Sequence, residues 1–257
     1  GTTWRALGKL QFSPNRRAWL VAMISAVFFD AAGTLLCVHP SVGEVYAREA
    51  DRFGASVSTE TANAAFRSAW RELRPYADGK TPFHTSEEIE RSWWHGLVER
   101  VFSEACGLDA FAGRFEPFFE SLYLRFEEPE VWRLYDDVIP ALDALNNCDI
   151  PIAIVSNWDS RLPRLLQAMG IADRFQFILT SAEAGVSKPS PEIFHQALAR
   201  LGAPAHEVIH IGDSLEDDVH AAQNAGLNSL HIVRKNESSP SPNTISSLLE
   251  VLSRIER

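Results

Sequence analysis

Apolar positions in the C-terminal half fall into short runs separated by stretches of helical spacing. The runs are "IPIAIVSN" (150–157), "FQFILTS" (175–181), "EVIHIGDS" (207–214) and "NSLHIV" (228–233). Strands alternating with amphipathic helices predict a parallel sheet covered on both faces. "AVFFD" (26–30) has the same character and joins the set, although it lies far upstream. The helices between the runs carry their own punctuation. Asp159 or Ser160 caps a segment that stops at Gly170, and Ser190, Pro191 and Gly202 start and end another.

The roughly one hundred residues between "AVFFD" and "IPIAIVSN" read differently. Ser41 stands three before Glu44 and Thr85 three before Glu88, two capping-box spacings, and the segments they open close on Gly54 and Gly107. Residues 58–73 and 109–126 also show helical periodicity. The expected organisation is therefore a sheet domain, residues 23–38 and 131–257, interrupted after its first strand by an all-helical insert of about four helices at 39–130. "NRRAWLVAMISAVFF" mimics a signal peptide, but its apolar run ends in Asp30 and a Gly-Thr break, so we read it as a core strand. Met23 is the expected start, with residues 1–22 an extension. "KNESSPSPNT" reads as a polar loop before a last amphipathic helix over 245–257.

Charge and cysteine content narrow the partners. The net charge of -10, spread along the chain, argues against a nucleic-acid footprint and for a soluble, self-repelling surface; the expected partner is a small phosphorylated molecule, with no nucleic acid and no membrane. Cys37, Cys106 and Cys148 have neither metal-ligand spacing nor an even count for disulfides, which fits a reducing, cytoplasmic setting. They read as packing groups.

The chemistry gathers at strand ends. A lone carboxylate such as Asp30 at the end of a buried strand must meet a cation, a cluster of donors or solvent in a cleft. Ser156 and Asn157 follow "IAIV", Lys188 follows "FILTS" within "SKPSPEIF", and Asp213 follows "VIHIG", with Asp218 five residues on. Open parallel sheets bind ligands at the carboxyl ends of their strands, which would bring these groups together. Such a set suits phosphoryl transfer. The carboxylates make a hard oxygen site for Mg²⁺, Lys188 neutralises a phosphoryl group, Ser156 and the amide of Asn157 donate to its oxygens, and one carboxylate can attack phosphorus.

In order and content these segments resemble the motifs of the haloacid dehalogenase superfamily: "FFDAAGTLL", "IVSN", "SKPSPEIF" and "GDSLEDDVHAAQNAGL". The resemblance implies a Rossmann-like α/β core with helices on both faces and, as in subfamily I, a helical cap inserted after the first motif. It also implies Asp30 as nucleophile and metal ligand, with the Ala32 carbonyl and Asp213 as further ligands to Mg²⁺. Asp218 would be an outer ligand or a partner of Lys188, Ser156 and Asn157 would hold the phosphoryl group, and Lys188 would bridge it to Asp30.

One departure matters. Phosphatases of this superfamily usually carry a second aspartate two residues after the nucleophile, as general acid and base, where this chain has Ala32. Dehalogenases of the superfamily also lack that aspartate, but Asp213 and Asp218 favour a metal-dependent enzyme. Phosphonoacetaldehyde hydrolases share alanine there and use a cap lysine, for which Lys80 would be the counterpart; it reads instead as a solvated loop lysine. A non-catalytic binding module on the same fold is the reading from another class. His39 and His84 could substitute for the acid in principle but read as surface residues. His210 and His231 read as half-buried strand positions with structural roles, and the cap aromatics Trp70, Trp93, Trp94, Phe111, Phe115, Phe118 and Phe119 as the insert's own core, with shaping of the substrate pocket as the alternative.

Overall fold

The computed structural model describes residues 24–73, 83–234 and 243–255. Strand β1 (Ala26–Phe29) is followed by the short β2 (Leu36–Val38), then helices α1 (Val42–Arg52), α2 (Thr59–Leu73), α3 (Glu87–Ala105) and α4 (Phe115–Arg125), and β3 (Trp132–Leu134). Helix α5 (Val138–Asn147) and strand β4 (Ile152–Ser156) come next, then α6 (Arg161–Ala168), β5 (Ile178–Thr180), α7 (Ser181–Ala184) and α8 (Glu192–Leu201). Strand β6 (Val208–Gly212) leads into a π-helical stretch, Leu215–His220, continued by α9 (Ala221–Asn224), β7 (Asn228–Ile232) and β8 (Thr244–Ile245).

Six strands pair in the order β5-β4-β1-β6-β7-β8, every pair parallel. The run resembling a signal peptide supplies the central strand, as read from sequence. Alternation along β1 divides its side chains: Val27 and Phe29 join a core with α5 and α6, whereas Ala26 and Phe28 pack with α8 and α9 on the other face. A strand buried on both faces needs a continuous apolar run, which "AVFF" is. Each such phenylalanine contributes on the order of 1.5–3 kcal/mol by burial.

Helices α1–α4 enclose a separate core in which Phe111 and Phe118 pack at 4.5 Å between ring centroids and Phe102 meets both edge-on. Ala62, Ala65 and Ala69 give α2 a face of small residues. A Cβ on Gly43 would lie 2.5 Å from the Thr59 carbonyl, so glycine is what lets α1 cross the start of α2. Ser41 caps α1 through the Glu44 amide, but the Glu44 side chain pairs with Arg48 and leaves the capping box half formed. At α3 the cap moves by one residue: Ser86 accepts from the Ile89 amide, because the Thr85 hydroxyl is used on Glu90.

Two features were not anticipated. Strands β2 and β3 form an antiparallel ribbon, Leu36 opposite Leu134, at the two chain crossings between sheet and helical layer. The expected last helix is shorter: β8 takes its first residue, a capping box at Ser247 and Glu250 opens a 3₁₀ turn, and α10 covers only Leu252–Ile255. Among the described residues no helix is long and apolar enough to cross a membrane.

Asp137 ties the distant segments together. It accepts from Arg234 at 2.7 and 2.8 Å, from Ser247 at 2.9 Å and from the Leu248 amide at 2.7 Å. Arg234 also donates to the Thr34 carbonyl and lies 4.1 Å from the Tyr135 ring centroid. Burial works against the Asp137 carboxylate, but Arg234 and these donors outweigh it and hold its pKa below the usual range. A depressed folded pKa gives stability that is present above the unfolded value of about 3.9 and lost as pH falls through the folded one. Asp137→Asn is therefore expected to cost ~1–3 kcal/mol at pH 7, with the difference from the native chain narrowing by pH 3. Denaturant midpoints at the two pH values test this; a gap of equal size at both would mean the charge contributes nothing.

Candidate active site

The carboxyl ends of β1, β4 and β6 and the loop after α7 bring Asp30, Ser156, Asp213 and Lys188 into one cleft. The Asp30 amide donates to the Ile211 carbonyl at 2.9 Å, extending β1 pairing to the residue that leaves the sheet. The chain then turns through Gly33, whose φ of +80° disfavours any side chain. A Cβ there would also lie 2.3 Å from Asp213 Oδ2. Gly33 is thus required twice, by backbone conformation and by the approach of Asp213.

Asp30 is buried. Its Oδ1 accepts from Ser156 Oγ at 2.8 Å and from Lys188 Nζ at 2.7 Å, so both contacts fall on one of its two oxygens. Lys188, also buried, donates to Asp218 Oδ1 at 2.5 Å. Burial opposes the lysine's charge, yet the two aspartates raise its pKa above the ordinary value and keep it cationic. Burial likewise opposes the Asp218 carboxylate, but Lys188 and His210 hold its pKa well below the usual range. Asp30 goes the other way: burial, and then the Asp218 charge, raise its pKa despite Lys188 and Ser156.

Asp213 is exposed. The protein packed around its carboxyl and the charges of Asp30 and Asp218 raise its pKa to about 7. Its backbone is fixed by His231 Nε2, which donates to the Asp213 carbonyl at 3.0 Å. Asp30, Asp213 and Asp218 each offer an oxygen within 4.8 Å of the others. Three carboxylates with one lysine leave an excess of negative charge and hard donors, a set that fits a divalent cation. Asp218 is the most committed of the three, since Oδ1 meets Lys188 and His210 and Oδ2 accepts from the Ser214 amide at 3.0 Å. Of its two anticipated roles, partner of Lys188 is the one the geometry displays.

Three sequence readings gain detail. The Asn157 side chain positions the lysine's backbone: Nδ2 donates to the Lys188 carbonyl and Oδ1 accepts from the Lys188 amide, both at 2.8 Å. His210 is fully buried, not half-buried, and its Nε2 lies 2.9 Å from Asp218 Oδ1. Burial lowers its pKa, and its contact orients the Asp218 carboxylate. The cap aromatics divide. Phe111 and Phe118 are core and Trp93 donates to the Leu73 carbonyl, whereas Trp70, Trp94 and Phe119 line a cavity of about 410 Å³. Ala32, Gly33 and Asn157 form its end at the cleft.

His39 and His84 are exposed and do not line that cavity, and Lys80 lies outside the described residues. Cys37 lines it, with its thiol directed to the Arg133 carbonyl. The helical layer is held over the cleft by polar contacts to the strand-end loops. Tyr123 donates to Asp159 at 2.7 Å, Glu87 accepts from the Ser160 amide at 2.8 Å, and Glu90 accepts from Ser181 at 2.8 Å.

A parallel α/β sheet with a carboxylate-lysine cluster at its strand ends, under a helical layer, defines a hydrolase class. Residues 24–226 match the profile of the haloacid dehalogenase-like hydrolases, and the chain belongs to that family. It is 34% identical over 210 residues to haloacid dehalogenase-like hydrolase domain-containing protein 3 of Danio rerio, covering 81% of this chain and 85% of that one. Over 148 residues it is 30% identical to a phosphoserine phosphatase of Thermus thermophilus, covering 57% and 59%. The solved structure of a defluorinating L-2-haloacid dehalogenase shares the fold with a TM-score of 0.71 at 18% identity, over 91% of this chain and 96% of the other.

Proposed function

We propose that the chain is a Mg²⁺-dependent phosphatase that acts on a small phosphorylated metabolite through an aspartyl-phosphate at Asp30, in the cytoplasm. The observation that carries this is the buried triangle of Asp30, Lys188 and Ser156 beside Asp213. Asp30, the Ala32 carbonyl and Asp213 are the residues that would hold Mg²⁺, which when bound supplies positive charge for the phosphoryl oxygens. The Asp30 carboxylate attacks phosphorus and the bond to the leaving oxygen breaks. Ser156 and Lys188 meet the phosphoryl charge, with Lys188 held in register by Asn157. Water then attacks phosphorus in the aspartyl-phosphate, releasing phosphate and restoring the carboxylate. The helical layer acts as a cap that closes the cleft on small substrates and keeps bulk water from the intermediate.

The usual proton donor to the leaving group is replaced in this chain. Ala32 stands where the general acid would be, and no carboxylic acid or histidine occurs among the described residues lining the cavity. Loss of general acid catalysis costs ~10²–10⁴ in rate, most for leaving groups that are strong bases. With Mg²⁺ present, 4-nitrophenyl phosphate is expected to turn over and an alkyl phosphate to lag by roughly that factor, both stopping in EDTA. Dehalogenation of a 2-haloacid at full rate in EDTA would refute this reading and establish the metal-independent alternative.

A further inference from the structure

The cavity that opens from the cleft has a composition that selects among phosphate esters. Its walls carry Trp70, Trp94, Phe119, Phe126, Trp132 and Trp158, drawn from both the helical layer and the sheet side. Among its described lining residues the one formal charge is Arg161. That guanidinium is spent: Nε and Nη2 donate to Asp159 at 2.8 Å, Nη1 donates to the Tyr123 carbonyl at 2.9 Å, and its carbon lies 3.5 Å from the centroid of the Tyr123 ring. The pair is neutral overall and buried. A substrate carboxylate or second phosphate placed here would lose its water without gaining a cation, at a cost of several kcal/mol. A flat apolar group would gain aromatic contact on several sides. The volume of about 410 Å³ is at the small end of ligand pockets and suits one or two rings.

The missing general acid points the same way from a different observation. A phenol has a pKa of roughly 10, as tyrosine does, and leaves as its anion without being protonated. Resting on the phosphatase reading above, we propose that the substrate is an aryl phosphate whose leaving group is an uncharged ring system of one or two rings, seated between the sheet and the helical layer. In the balanced step, the Asp30 carboxylate displaces the aryl oxide at phosphorus, the P–O bond to the ring oxygen breaks, and the aryl oxide takes its proton from solvent. Water then converts the aspartyl-phosphate to phosphate and the free carboxylate.

The full chain with Mg²⁺ would be assayed on 1-naphthyl phosphate, phosphoglycolate, glycerol phosphate and acetyl phosphate. Acetyl phosphate serves as reference because its leaving group needs neither a proton nor the apolar walls. We expect kcat/KM for 1-naphthyl phosphate to exceed those for phosphoglycolate and glycerol phosphate by at least ~10²-fold. Trp94→Ala should lower the ratio of naphthyl to acetyl turnover about tenfold, and Trp94→Phe should recover most of it. Independently of turnover, 1-naphthol should bind saturably to the native chain and quench tryptophan emission, since four tryptophans line the cavity. Turnover of acetyl phosphate with no naphthyl preference, or with a preference for phosphoglycolate, would overturn this proposal alone. Failure to turn over any of the four, acetyl phosphate included, would overturn the phosphatase reading and this one with it. Absence of saturable naphthol binding would overturn the assignment of the cavity.

Discussion

Lys188→Met is expected to lower stability by ~3–5 kcal/mol at pH 8, or roughly 10 °C in Tm, as well as abolishing turnover. Methionine fills much of the lysine's volume, so the loss is electrostatic. Lys188 Nζ lies between Asp30 and Asp218, all three being buried, and each carboxylate has Lys188 as its cationic neighbour. Without it, two carboxylates remain in a poorly solvated site: the Asp30 pKa, already raised, climbs further, and the Asp218 pKa loses the cation that holds it down. An acid whose folded pKa is raised loses stability as pH climbs from its unfolded pKa to its folded one. The deficit of the variant should therefore shrink toward pH 5, where the aspartates can be protonated. Denaturant midpoints at pH 5 and pH 8 give both numbers. Equal stability of variant and native chain at pH 8 would mean that the lysine contributes nothing net to the fold.

That cluster was legible in the sequence because each member follows an apolar run, and a parallel sheet sends the ends of such runs to one edge. Asp30, Ser156, Lys188 and Asp213 needed only the strand assignment to be placed together. His210 could not be placed with them, since in a strand buried on both faces neighbouring positions are equally inside and polarity does not show which face a side chain takes. Nor could the cap aromatics be sorted. Phe118 and Phe119 are adjacent on one helix, yet the first lies within the helical core while the second also faces the cavity. Both satisfy a helical period broad enough to serve two neighbours. The β2–β3 ribbon and the Arg234 clamp depend on contacts across 98 and 200 residues, made by elements too short to leave a periodic trace.

The apolar walls and the missing acid converge on the leaving group, but both presuppose a nucleophile at Asp30. Asp30→Asn is expected to reduce kcat on the order of 10⁴–10⁶-fold, since the covalent route is lost. The amide oxygen still accepts from Ser156 and Lys188, so geometry is retained. Stability should respond in the opposite sense from Lys188→Met. Burial and the Asp218 charge raise the Asp30 pKa in the folded chain, so its ionised form weakens the fold progressively above about pH 4. Asparagine removes that burden. In EDTA the variant should be as stable as the native chain at pH 5 and at least as stable at pH 8. Mg²⁺ should then raise the native Tm more than the variant's, because one ligand charge has gone and binding stabilises only in proportion to affinity. Native-like turnover by Asp30→Asn would remove Asp30 from the chemistry. A loss of several kcal/mol in EDTA would show instead that its charge supports the fold, and the cluster would then be a structural ion-pair network rather than a site kept under electrostatic tension for catalysis.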